Sequence, residues 1–321
     1  MSALTRLLTT DVARAVGCLR AGGLVGIPTE TVYGLAADAA DPDALARIFA
    51  VKGRPTDHPL IVHAAEPEML AGWAAPTGAA EPAYAVLAEA CWPGPLTMLV
   101  GRGARVLDAV TGGRPTVGVR VPAHPLTTEL LTRFGRPVAA PSANRFGKVS
   151  PTAPEHVLAD LGELLDPRRD CILDGGRAAV GVESTIVDLT VDPPQVLRAG
   201  AIDADTIARL LDTAIAEATG PSRAAGMLAA HYAPDTEVLL VERRADAAAL
   251  LGRATAHGRT ARMLDRTDDL VAAARELYRD LRAADSDGID VLVVVLPPPA
   301  GLGLALRDRL FKAAAGSANP V

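Results

Sequence analysis

GLVGIPTETVYGLAADAADPDALARIFAVKGRPTDHPLIVH, residues 23–63, contains the repeating logic of the chain. Gly23–Ile27 is a short apolar run stopped by Pro28, as in a buried strand. A polar loop follows, presenting Thr29, Glu30, Thr31 and Tyr33. Loops at the carboxyl ends of strands are where α/β proteins bind ligands. Threonine hydroxyls can equally close such a turn on itself. Asp41-Pro42 then reads as a helix cap with proline at the first helical position. Leu45, Ile48 and Phe49 share one face of that helix, which ends near Lys52-Gly53, and Pro59–His63 is the next strand.

The same alternation extends outward. Asp11–Ala21 reads as a helix capped by Thr9 or Thr10. Pro82–Cys91 is a helix stopped by Trp92-Pro93-Gly94-Pro95. Leu96–Val100 and Val117–Val121 are strands, Pro125–Phe134 is a helix, and Val138–Ala140 is a strand. Cys171–Leu173, Thr185–Leu189 and Gln195–Leu197 are three more short strands. Strands interleaved with helices predict a layered α/β fold. The frequent glycines and prolines point to a mixed sheet with many loops. This first domain spans residues 1–211.

Residues 212–236 lack a clear period and read as an ordered linker, since they carry Met227, His231 and Tyr232. Residues 237–321 form a small second α/β domain. Its strands are Glu237–Val241, Ala261–Leu264 and Val291–Leu296; its helices are Ala245–Ala256, Asp268–Ala284 and Leu304–Ala315. That order permits a parallel sheet.

Composition narrows the function. Of 321 residues 49% are hydrophobic and 22% charged, as in a globular protein with a real core. Only 3% are aromatic, so Leu, Val, Ile and Ala must fill that core. The net charge of −6 argues against a dedicated nucleic-acid binder. Charge is not segregated: residues 1–211 hold 19 basic and 23 acidic side chains, residues 212–321 hold 13 and 15. Cys18, Cys91 and Cys171 form no CxxC, which excludes a disulfide framework and a cysteine zinc site and fits a reducing cytosol. Arg6 and Asp11 interrupt any apolar run near the start, and Val291–Leu296 stops at three prolines, so neither a secretion signal nor a membrane span is expected.

Two polar motifs carry the chemistry: Lys52-Gly53-Arg54 and Ser142-Ala143-Asn144. A compact ammonium, a planar fork of donors, a hydroxyl and a carboxamide together suit a polyphosphate and its metal ion. Only three of the 32 basic residues are lysines, and two of them, Lys52 and Lys148, lie in or beside these motifs. Lys52 and Arg54 just past a helix end would also complement its dipole. No Walker sequence and no GxGxxG after a strand is present. His63 ends a strand, where a structural role is common. Arg120 lies within an apolar strand and needs a partner, either a bound carboxylate or a protein Asp or Glu.

The ordered set PTETVYGL, KGRP, DHPLIVH, WPGPLT, VGVRVP, APSAN, GVESTIVD and VLRAG resembles the YrdC-like threonylcarbamoyl-AMP synthase family over roughly residues 9–211. The tail resembles the long form of that family, with HYAP at His231-Tyr232-Ala233-Pro234 and GLGLALRDRLFKAA near the end. The resemblance implies a twisted sheet with helices around a concave cavity. It implies an enzyme that joins L-threonine, bicarbonate and ATP into threonylcarbamoyl-AMP and pyrophosphate, with Mg²⁺ accompanying ATP. A separate tRNA threonylcarbamoyl transferase would use the product; any RNA contact would be weak.

Carried over by motif, Thr31, His63, Arg120, Ala140 and Ser184 resemble a threonine site, with Arg120 toward the carboxylate. Lys52, Arg54, His58, Thr116, Ser142, Ser150 and Arg198 resemble a nucleotide site, with Asn144 nearby and Tyr232 closing over ATP. Lys52, Arg54, Ser142 and Asn144 would carry the catalytic role, Lys52 and Arg54 by neutralising the triphosphate. Two departures stand out. The linker reads Ala224-Ala225-Gly226-Met227-Leu228 where the family often has SPGM-K, and His58 stands where Asn is common.

Overall fold

The computed structural model describes residues 6–218 and 231–317. Eleven strands in this part of the chain join into one sheet. In chain order they are β1 (Leu8–Thr9), β2 (Val25–Ile27), β3 (Gly34–Asp38), β4 (Ile61–His63), β5 (Leu96–Gly101), β6 (Thr116–Arg120), β7 (Val138–Ala139), β8 (Cys171–Leu173), β9 (Thr185–Asp188), β10 (Gln195–Arg198) and β11 (Ala216–Glu217). Their spatial order is β1-β8-β2-β3-β7-β4-β6-β5-β9-β10-β11. β4 and β6 run parallel, as do β5 and β9, whereas β7 is antiparallel to both β3 and β4. The sheet is therefore mixed, as the scattered glycines and prolines predict.

Helices α1 (Val12–Arg20), α2 (Pro42–Lys52), α3 (Ala80–Cys91), α4 (Asp108–Thr111), α5 (Pro125–Phe134), α6 (Pro154–Leu161) and α7 (Ala204–Leu211) cover this sheet. Asp11 caps α1 by accepting from the Ala13 and Arg14 amides at 2.8 and 3.3 Å. The expected cap, Thr9, instead lies in β1 and accepts from the Asp11 amide at 3.1 Å. Carboxylate caps satisfy orphan amides well, and pairing with β8 takes Thr9 into the sheet.

α2 follows its sequence closely. Asp41 caps it, Pro42 opens it, and Gly53 ends it at φ +65°, a left-handed turn that favours glycine. That turn projects Arg54 away from the helix and toward the sheet. β3 carries no β-branched signal and went unrecognised; its Gly-Leu-Ala-Ala-Asp sequence is extended because β2 and β7 pair with it on either side.

A second sheet joins β12 (Glu237–Val241), β13 (Ala261–Leu264) and β14 (Val291–Val295), all parallel, in the order β12-β14-β13. α8 (Arg244–Ala256) packs on one face. α9 (Leu270–Ser286) and α10 (Leu302–Ser317) pack on the other. The second core is continuous with the first sheet's loops: Val32, Val149 and Val182 pack with Leu277, Leu281 and Leu310. Burying one such side chain is worth roughly 1.5–3 kcal/mol. Gly181, at φ +84°, lies so close to α9 that a Cβ there would sit 2.4 Å from the Ala274 carbonyl oxygen. Most of the expected linker, including Met227 and Ala224-Ala225-Gly226, lies outside the described residues. No helix among the described residues is long and apolar enough to cross a membrane.

Candidate active site

A cavity opens where loops from both sheets meet. The β2–β3 loop supplies Thr29 and Thr31, β4 supplies His63, β6 supplies Arg120, and β7 leads into Ala140 and Ser142. Glu183 and Ser184 precede β9, Arg198 ends β10, and Arg54 follows α2. His231 and Tyr232 complete the wall.

All five residues of the implied threonine set line this cavity. His63 and Arg120 are register partners on β4 and β6, which fixes them side by side. Arg120 donates to the Thr31 hydroxyl at 3.0 Å and to the Gly94 carbonyl at 3.2 Å, and it forms an ion pair with Glu30 at 2.8 Å. Glu30 thus compensates the Arg120 charge within the protein. The other Glu30 oxygen accepts from the Ala123 amide at 3.1 Å. Burial, and then the neighbouring Arg120, hold His63 down to about 3, so it is neutral at physiological pH. Its Nδ1 faces the Ile61 carbonyl at 3.0 Å, which leaves Nε2 as an acceptor toward the cavity. The Ser184 hydroxyl sits 2.8 Å from that of Thr97 and 3.0 Å from an Arg198 guanidinium nitrogen.

The implied nucleotide set divides. Arg54, Ser142, Arg198 and Tyr232 line the cavity. Arg54 is anchored through the Pro59 carbonyl at 2.9 Å and lies 5.7 Å from the Phe146 ring centroid. Burial lowers it to about 10, still cationic at neutral pH. Lys52 lies deeper. Its ammonium donates to the Ser142 carbonyl at 2.6 Å and the Asn144 carbonyl at 2.5 Å, and burial, then Arg54, push its pKa well down. Expected to face a triphosphate, Lys52 is turned inward and ties the two motifs together. Asn144 is also turned inward, its amide donating to the Arg145 and Lys148 carbonyls at 2.8 and 2.7 Å.

Ser150 reaches the site through Glu183, donating to it at 2.6 Å. His58 stands edge-on to Phe146 with ring centroids 5.3 Å apart, and Thr116 begins β6 opposite Gly101. Neither is in the cavity wall.

Three residues of this region were not anticipated. Glu183 accepts from Ser150, from Tyr278 at 2.7 Å and from Arg309 at 2.9 Å. Burial pushes its carboxyl up, but Arg309, Arg198 and the two hydroxyls outweigh this and hold it at about 2. Tyr278 and Arg309 come from α9 and α10. A signal for Arg309 existed: Leu306, Arg309, Leu310 and Ala313 fall on one helical stripe, and all four are buried.

Three guanidiniums, a neutral imidazole and several hydroxyls around one enclosed space define a small-molecule site for anions on a mixed α/β sheet. Residues 17–200 match the Sua5–YciO–YrdC family, described as "Telomere recombination", and residues 202–315 match "Threonylcarbamoyl-AMP synthase, C-terminal domain". A threonylcarbamoyl-AMP synthase of Pyrococcus abyssi is 39% identical, covering 93% of this chain and 92% of that one. One of Bacillus subtilis is 36% identical over 97% and 95%. The crystal structure of P. abyssi Sua5 complexed with L-threonine superposes with a TM-score of 0.88 at 38% identity, covering 95% of this chain and 94% of that one. E. coli YciO, at 23% identity and a TM-score of 0.51, shares the fold over 63% of this chain and 97% of its own. The chain belongs to the threonylcarbamoyl-AMP synthase family, in its two-domain form.

Proposed function

We propose that this cavity makes threonylcarbamoyl-AMP from L-threonine, bicarbonate and ATP, releasing pyrophosphate. The observation that carries this reading is the convergence of Arg54, Arg120 and Arg198 on one cavity. Two anions must meet there, and closely held guanidiniums offset their repulsion.

In this reading Arg120 and Thr31 receive the threonine carboxylate, and His63 Nε2 accepts from its hydroxyl or amine. Ala140 and Ser184 bound the pocket. The amine and bicarbonate give a carbamate and water. A carbamate oxygen then attacks the α-phosphorus, and pyrophosphate leaves in line. No protein nucleophile is required. Arg54, Ser142, Arg198 and Tyr232 hold the nucleotide, while Lys52 and Asn144 shape the turn that presents Ser142. Ser150 contributes through Glu183. His58 and Thr116 would reach the nucleotide from the margin of the site.

Glu183 in the cavity wall and Glu30 beside Arg120 are each committed to an arginine. Mg²⁺ is therefore proposed to arrive with ATP, held by phosphate oxygens and water, where it would neutralise charge on the leaving pyrophosphate. The product would pass to a separate tRNA threonylcarbamoyl transferase, with at most weak RNA contact by this acidic chain. Three free cysteines accord with a cytoplasmic location.

The test is formation of the AMP adduct from ATP with threonine and bicarbonate omitted in turn. Adduct should appear only when all three are present; ATP turnover independent of threonine would refute the reading.

A further inference from the structure

Arg309 and Tyr278 belong to the C-terminal unit, yet both bond the same oxygen of Glu183 in the cavity wall, at 2.9 and 2.7 Å. Arg309 is fully buried, with 0% exposure. Its guanidinium carbon lies 5.4 Å from the Tyr232 ring centroid, and that ring stacks on Tyr278 at 5.6 Å and 30°. A second Arg309 nitrogen bonds Asp308 at 2.6 Å, and Asp308 in turn pairs with Lys312 at 2.8 Å. The other Glu183 oxygen takes the Ser150 hydroxyl at 2.6 Å.

A carboxylate in the wall of a cavity that must hold a triphosphate and a carbamate works against binding. Glu183 is poorly suited to proton transfer, since three donors occupy its two oxygens. Its geometry is that of a clasp between the catalytic sheet and the C-terminal domain. Arg309 is the ion-pair partner that covers this charge directly.

We propose that Arg309 is a positioning and charge-compensating residue for the nucleotide site: the docked C-terminal domain cancels the Glu183 charge and fixes Tyr232, which strengthens ATP binding. This rests on the function proposed above. The domain is thereby an electrostatic part of the active site, although it contributes little of the cavity surface.

The experiment measures equilibrium binding of Mg·ATP, and separately of threonine, to the full chain and three variants, with thermal melting as the control. Arg309→Met removes the ion-pair partner of Glu183 and should weaken ATP binding about tenfold. Threonine, a zwitterion without net charge, should be affected much less. Arg309→Lys should retain most ATP affinity. The double variant Glu183→Gln with Arg309→Met removes both charges and should recover most of it. A merely structural role would leave the double variant as weak as the single one, and that result overturns the proposal. So does unchanged ATP affinity in Arg309→Met. If Arg309→Met does not fold, the double variant decides: a normal melt with lost ATP binding refutes charge compensation, and near wild-type binding sustains it. Failure of the wild type to bind Mg·ATP would instead refute the function proposed above.

Discussion

The ammonium of Lys52 lies 2.6 Å from the carbonyl oxygen of Ser142, a residue 90 positions later in the chain. It also contacts the Asn144 carbonyl at 2.5 Å. One buried lysine therefore closes the basic turn after α2 onto the turn after β7. In the function proposed above, Arg54 and Ser142 would face the polyphosphate, with Lys52 as the strut that joins their two turns.

Lys52→Met should accordingly cost stability as well as turnover. Each stranded carbonyl carries a penalty of about 1–3 kcal/mol. The melting temperature should fall by several degrees together with adduct formation. A variant that melts like the wild type yet has lost turnover would mean that Lys52 acts on the phosphates directly.

Arg120→Ala removes the guanidinium shared by Thr31 and Glu30. Hydrogen bonds to charged groups contribute about 1.5–3 kcal/mol, so threonine affinity should drop roughly 10- to 100-fold. Titration calorimetry with threonine measures this. Unaltered affinity would place the amino acid elsewhere in the cavity.

The protein should be less stable at pH 5 than at pH 7. Burial holds both His63 and His231 at about 3 in the folded state, against an ordinary value of 6.5. Between those values the unfolded chain binds protons that the folded chain refuses, so stability rises with pH across that window. Glu183 works in the same direction lower down: held at about 2, its contribution is lost as pH falls from about 4.5 through that value. Melting curves of the wild type and of His63→Gln should show a shallower acid slope in the variant. Equal slopes would count against a neutral, buried His63.

Gly181→Ala should loosen the seam between the two units. The residue sits at φ +84°, and a Cβ would come within 2.4 Å of the Ala274 oxygen and the Arg275 Cα. Strain of this kind costs on the order of 1–3 kcal/mol. Limited proteolysis should cut the variant faster between the units, and unchanged cleavage would show that α9 yields without cost.

Chelation separates the metal's role from amino-acid binding. EDTA should abolish adduct formation while leaving threonine affinity intact, because Mg²⁺ is proposed to enter with ATP. Loss of threonine binding on chelation would require a protein-held metal near Arg120.

Much of the fold was legible because its signals are local. Asp41-Pro42 and Gly53 bound α2, and the β-branched run Val291–Val295 marks the central strand of the second sheet. β3 was not legible, because its Leu-Ala-Ala core carries no strand preference and is extended only by pairing with β2 and β7. Among site residues, Thr31, His63, Arg54, Arg120, Ala140, Ser142, Ser184, Arg198 and Tyr232 could be named from motifs, and all line the cavity. The inward turn of Lys52 and Asn144 could not be read, since carbonyls from a distant turn satisfy one and a local loop satisfies the other.

By itself the sequence determined the elements with strong local signals, such as α2 between Asp41-Pro42 and Gly53, and which polar residues are too unusual in their apolar settings to be incidental. The tertiary structure alone decided which charges meet. Glu183 and Arg309 are 126 positions apart, and although Arg309 falls on an apolar helical stripe, nothing local names its partner. Their pairing comes from packing α9 and α10 against the loops of the first sheet, because electrostatic energy depends on distance in space and on burial, and both are set only once the chain has folded.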